Sequence, residues 1–132
     1  MLFVLLAAIA GGASNAGVAQ TASFSYAVVA LGGNFSEPAG VAVDSGGNVY
    51  VADYNNSAIK EMPAGCASSS CVTTLGGGFR FPLGVAVDRS GNVYVADYGN
   101  NALKAMPAGC ASSSCVTTVS GGFDFPVGVA VD

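Results

Sequence analysis

The chain repeats itself every 44 residues. Pro38, Pro82 and Pro126 are spaced by that interval, as are Gly40, Gly84 and Gly128, and Asp44, Asp88 and Asp132. Setting Pro38–Phe81 against Pro82–Phe125 leaves ten differing positions of 44, so 34 are identical. The differing pairs are Ala39/Leu83, Ser45/Arg89, Gly46/Ser90, Asn55/Gly99, Ser57/Asn101, Ile59/Leu103, Glu61/Ala105, Leu75/Val119, Gly76/Ser120 and Arg80/Asp124. A fixed period in the forties belongs to arrays of one supersecondary unit, each unable to bury its own apolar face without a neighbour.

Within a unit the punctuation predicts four strands. Gly40–Asp44 is a short apolar strand led in by Pro38, and Ser45–Asn48 is a turn, since Gly and Asn tolerate positive φ. Val49–Tyr54 is rich in β-branched and aromatic residues and reads as a second strand. Asn55–Asn56 is a tight turn, Ser57–Met62 a third strand with Lys60 on its wetter face, and Cys71–Leu75 a fourth. The upstream segment Ala27–Phe35 aligns with a fourth strand and its exit. Four antiparallel strands in forty-odd residues predict an all-β chain, a partial β-propeller of four-stranded antiparallel blades. The second strand supports this. Val49 and Val51 make one face apolar, Tyr50, Ala52 and Tyr54 the other, and a strand apolar on both faces must be sandwiched. Stacked blades supply the sandwich. Phe79, Phe81, Phe123 and Phe125 flank the lead-in prolines and are expected between blades.

Composition narrows the function classes. Eight acids against four bases (Lys60, Arg80, Arg89 and Lys104) give a net charge of −4, with no basic stripe for nucleic acid. There is no histidine, the commonest general base and transition-metal ligand. The first 36 residues carry no charge, and Leu2–Ala10 is an apolar run too short to span a bilayer, which takes about 20 residues. An apolar run followed by small residues reads as a secretory signal over residues 1–19, with Ala16 and Ala19 as candidate cleavage points. No basic residue precedes the run, and the competing reading is an apolar first strand.

Cys66 and Cys71 bracket CASSSC, and Cys110 and Cys115 do so one period later. Four cysteines allow three connectivities. Identical units solving one problem identically favour Cys66–Cys71 and Cys110–Cys115, which suits an exported protein. The competing reading, zinc held by both pairs, needs a spacing wider than most zinc knuckles use, without a histidine. The carboxylates Asp44, Asp88, Asp132, Asp53 and Asp97 fit no EF-hand spacing. They read as acceptors for turn N–H groups. No metal site and no cofactor are expected.

Meander geometry puts the second-to-third and fourth-to-first connections on one rim, and the first-to-second turns and CASSSC loops on the other. Tyr50 and Tyr94 are expected in the inter-blade core, whereas Tyr54 and Tyr98 border the Asn turns and are more reachable. Four of the ten unlike positions, Asn55/Gly99, Ser57/Asn101, Gly76/Ser120 and Arg80/Asp124, cluster on the rim away from the disulfides. Its candidate binding residues are Tyr54, Asn55, Asn56, Arg80, Tyr98, Asn100 and Asn101.

The motif P-x-GVAVD-x-x-GNVYVADYxN resembles the NHL repeat, a propeller-blade motif, and the CASSSC insertion resembles a subgroup of secreted bacterial proteins carrying it. The resemblance covers Ala27 to Asp132. It implies a closed array of about six blades, of which this chain holds a fragment: the last strand of a preceding blade in 20–37, blades in 38–81 and 82–125, and the first strand of a truncated blade in 126–132. It implies a non-catalytic binding or scaffold module of a secreted or periplasmic bacterial protein. The expected partner is protein or glycan, not nucleic acid, with self-association or further blades needed for closure. The alternative is a fragment of a propeller enzyme of lyase or lactonase type, with its catalytic residues on other blades.

Overall fold

A computed structural model describes residues 33–132 and two short strands before them, β1 (Phe3–Val4) and β2 (Val29–Ala30), which pair antiparallel. The rest of the 1–19 signal segment lies outside the described residues. Residues from Gly32 on form a separate compact unit. Its eight strands make two four-stranded antiparallel meanders: β3 (Pro38–Val43), β4 (Val49–Asp53), β5 (Ala58–Met62) and β6 (Thr73–Leu75), then β7 (Pro82–Val87), β8 (Val93–Asp97), β9 (Ala102–Met106) and β10 (Thr117–Gly121). This is an all-β partial β-propeller, and each sheet is a blade. No α-helix occurs among the described residues, only three one-turn 3-10 segments.

The second strand of each blade is the most deeply buried. Every residue of β4 is buried, and Val51 and Ala52 are wholly inaccessible. The blades meet through one apolar cluster. Tyr50, Ala52, Ile59, Leu75 and Phe79 of the first face Val85, Val93, Val95, Met106 and Cys110 of the second. Removing these side chains from water drives stacking, at roughly 25 cal/mol per Å² of apolar surface.

Two glycines set how closely the inner strands approach. A Cβ on Gly40 would fall inside contact distance of the Leu83 carbonyl oxygen, and one on Gly84 would lie 2.8 Å from the Val127 oxygen and 2.9 Å from the Gly128 Cα. Glycine recurs every 44 residues because backbone packs on backbone there.

Cys66 is bonded to Cys71 and Cys110 to Cys115, as the repeated loops favoured. Each bond closes a short loop, worth about 2 kcal/mol by chain entropy.

The structure departs from the sequence reading in three places. Lys60 is not on a wet face: its side chain is 14% exposed and paired with a buried carboxylate. Register explains it, because Lys60 lies opposite Val51 and so diagonal to Asp53 on the same side of the sheet. The two rims are distinct near the inner strands but merge at the outer edge. There the Gly76 N–H donates to the Cys110 carbonyl (2.8 Å), and Gly77 lies beside Ser113. Sheet twist swings the outer strand round until its exit meets the next blade's disulfide loop. The aromatics divide too. Phe79 is buried and Phe81 half-buried, whereas Phe123 and Phe125 are 43% and 53% exposed.

The outer strands differ as well. Leu75 pairs with Ile59 in the first blade, but in the second Ser120 pairs with Leu103 and Val119 bulges out of register. Gly76 turns the first chain away with φ +60° while its N–H reaches Cys110; Ser120, with a Cβ, continues the strand instead.

Candidate functional site

Polar side chains gather at two ends of each blade. At the first end Asp44 organises its turn. Its Oδ1 accepts the N–H groups of Gly46 (2.8 Å) and Asn48 (3.0 Å), and its Oδ2 accepts Asn48 Nδ2 (2.8 Å) and the Tyr50 hydroxyl (3.1 Å). Asp88 does the same with Ser90, Asn92 and Tyr94. The Ala64 N–H then donates to Asn48 Oδ1 (3.1 Å), tying this turn to the start of the CASSSC loop.

These bonds set the protonation behaviour. Partial burial pushes the Asp44 carboxyl up, but the hydrogen bonds from Asn48, Tyr50 and Gly46 together outweigh it and hold the group below its ordinary 3.8. Hydrogen bonding to Asn92 is the main cause of the same lowering at Asp88. Burial, then the charge of Glu61 and the bond to Asp44, pushes the Tyr50 phenol well above its ordinary 10.0. Burial and Asp88 raise Tyr94 likewise.

The signs predict stability against pH. A depressed carboxyl stabilises the fold above its unfolded pKa, and that contribution is lost as pH falls through the folded value. A raised phenol stabilises it fully below 10.0, and that contribution is lost as pH rises toward the folded value. The melting temperature should therefore fall at both limits, the acid limb below about pH 4. Tyr50→Phe should lessen the alkaline limb, leaving the share of Tyr94, and should also reduce the acid limb, because it removes one of the bonds that hold Asp44 low. Thermal melts across pH check this; an unchanged alkaline limb would contradict the assignment to Tyr50.

At the opposite end each blade carries a buried ion pair. Asp53 is wholly buried. Its Oδ2 takes Lys60 Nζ (2.7 Å) and Asn56 Nδ2 (2.7 Å), and its Oδ1 takes the Ser36 N–H (2.7 Å). Lys60 also donates to the Asn34 carbonyl (2.6 Å) and lies 5.2 Å from the centre of the Phe35 ring. One period on, Asp97 holds Lys104 (2.7 Å), Asn100 (2.7 Å) and the Arg80 N–H (2.7 Å), while Lys104 reaches the Gly78 carbonyl (2.6 Å) and the Phe79 ring. The clamp joins the second strand, the third strand and the segment leading into the first. The three donors to each aspartate come from residues 34–60 in the first clamp and 78–104 in the second.

This clamp determines what the candidate rim residues can do. Asn56 and Asn100 are exposed, and each spends its amide N–H groups on its Asp and on a carbonyl of Asn34 or Gly78. Asn101 is left-handed (φ 52°), and its Oδ1 accepts the Phe125 N–H (3.0 Å). Ser57, also left-handed, accepts the Phe81 N–H through its hydroxyl (3.3 Å). Tyr54 packs on Phe81 with ring centres 5.1 Å apart, and Tyr98 on Phe125 at 5.0 Å. Asn55 and Arg80 are exposed, and the Arg80 guanidinium sits 5.8 Å from the Phe81 ring. Tyr54, Asn55 and Asn56 thus gather around the first blade's second turn, and Arg80, Tyr98, Asn100 and Asn101 around the second's, where the Gly99 N–H donates to the Arg80 carbonyl (2.8 Å).

Sequence reasoning missed the lysines as members of this end. Lys60 and Lys104 repeat at 44 residues and fall diagonal to Asp53 and Asp97 once the strands are paired. Among the described residues no group of three or more His, Cys, Asp or Glu side chains converges as a metal site would require. No helix there is long and apolar enough to cross a membrane.

A family model, the NHL repeat, matches residues 35–61 and 79–106. Each match runs from the aromatic beside the clamp lysine to the third strand. No curated protein matches the chain.

Proposed function

This is an NHL-repeat protein, and from that premise we propose that it is a non-catalytic binding or scaffold module of an exported bacterial protein. NHL repeats commonly build propeller surfaces for protein interaction, and a protein is the proposed partner, ahead of a glycan. The array is completed by further blades or by other copies.

One observation carries the reading. The interior charges, Asp53, Lys60, Asp97 and Lys104, repeat with the fold and are consumed by it. Of the ten positions that differ between the blades, Asn55 against Gly99 and Arg80 against Asp124 lie on the candidate rim. Catalytic groups usually occur once and are left free of structural partners, whereas recognition surfaces diverge on a constant scaffold. The two disulfides support export, because such bonds persist in oxidising compartments.

The test is affinity capture from the exported fraction of the source cell, with Arg80→Glu as the comparison. The expected result is one protein retained by the native chain and retained at least about tenfold less by Arg80→Glu, the scale of about 1.4 kcal/mol. Equal retention would remove the rim from the proposal. Selective retention on a glycan array would replace the protein partner by a sugar. Turnover of an ester or a glycan by the purified chain would overturn the non-catalytic reading.

A further inference from the structure

The sequence contains two Asn-x-Ser triplets, Asn34-Phe35-Ser36 and Asn55-Asn56-Ser57. Both fall at the clamp end of the first blade. The second blade has neither: Gly78 and Gly99 stand where Asn34 and Asn55 stand, and Asn101 replaces Ser57. An Asn-x-Ser triplet on a surface loop of an exported chain is the acceptor form for N-linked sugar.

The fold treats the members of the second triplet differently. Asn55 is exposed in the turn between β4 and β5, and its backbone N–H donates to the Ser36 carbonyl (3.1 Å). Among the described residues nothing bonds its side-chain amide. The neighbouring Asn56 is exposed too, but its amide is given to Asp53 and to the Asn34 carbonyl. Of the turn's two asparagines, Asn55 is thus the one whose amide nitrogen can carry a substituent. A group bonded there would stand in water and displace no hydrogen bond of the clamp.

We propose that Asn55 carries an N-linked glycan, added during export before the blade folds. The order follows from the other members of the motif. In the fold the Ser57 hydroxyl is taken by the Phe81 N–H (3.3 Å), and Asp53 is wholly buried. In the extended chain both are available. The Asp53 carboxylate then lies two residues ahead of the acceptor, where a basic acceptor groove can read it; Asn34 has Gly32 in that place. The donor is an oligosaccharide carried on a lipid diphosphate, and the catalyst is a membrane transferase of the exporting cell. The Asn55 Nδ2 bonds to the anomeric carbon, and the bond from that carbon to the diphosphate oxygen breaks. The lipid diphosphate leaves with the electron pair, and one amide proton passes to a base of the transferase. The glycan covers the first blade's turn and leaves the second's, where Arg80 lies, open to the partner.

This rests on the export part of the proposed function and not on the partner part. The experiment recovers the full chain from the exported fraction and from the interior of the source cell. Intact mass is measured, and the peptide holding Asn55 is read by tandem mass spectrometry. The exported chain should be heavier than its sequence by whole sugar residues, all placed on Asn55. Asn55→Gln, which breaks no side-chain bond, should lose the added mass completely, Ser57→Ala should lose it as well, and Asn34→Gln should keep it. An exported chain with unmodified Asn55 overturns the proposal and leaves export standing. Added mass that survives Asn55→Gln overturns the assignment to this turn. A chain confined to the cell interior and unmodified overturns both readings.

Discussion

Asp97→Ala is expected to cost about 3–5 kcal/mol, enough to unfold the second blade at moderate temperature. The carboxylate is wholly buried and receives three donors, from Lys104, Asn100 and the Arg80 backbone. Removing it strands an ammonium group that is only 14% exposed. It also frees the Arg80 N–H, worth about 1–3 kcal/mol if left unpaired, and the Asn100 amide, which is exposed and turns to water. Lys104→Met should cost less, since Asp97 keeps its other two donors and the new side chain fills the stem's place beside Phe79. Urea unfolding of the two variants checks this ordering. Equal losses would mean that the aspartate is not the hub of the clamp.

Gly40→Ala should destabilise by about 1–3 kcal/mol, although it adds one methyl group to an exposed strand. The methyl would meet the Leu83 carbonyl oxygen, which is fixed in β7 and cannot turn aside. The blades must separate near their inner strands, and the cluster around Tyr50 and Val95 loosens with them. Gly121→Ala, with nothing within 4 Å of the added Cβ, is the matched control and should be close to neutral. Loss of melting temperature in Gly40→Ala alone is the expected outcome; comparable losses in both would refute the close-approach argument.

The period, the four strands per unit and the disulfide pairing were all legible in the residues, because each depends on local punctuation that recurs. Less of the rim was legible. Asn56 and Asn100 read as turn residues and stay exposed, but each follows its aspartate by three residues and the turn folds its amide back onto Asp53 or Asp97. Lys60 alternates with apolar neighbours as an exposed residue would, so its burial appears only when Val51 is placed opposite it. The Gly76–Cys110 contact lies between repeats and depends on sheet twist, which leaves no mark on one unit's sequence. The slip at Val119 falls where two adjacent positions differ, Leu75 against Val119 and Gly76 against Ser120.

The clamps bear on how such a chain lengthens over generations. Asn34, Ser36, Asp53, Asn56 and Lys60 satisfy one another inside one stretch of chain, and Gly78, Arg80, Asp97, Asn100 and Lys104 do so in the next. Little polar bonding crosses from one unit to the other. A tandem duplication of the DNA copying one period would therefore insert a piece whose buried charges are already neutralised. Only apolar surface would have to be matched anew, and that surface matches itself. The array can gain or lose members by copying error without stranding a charge.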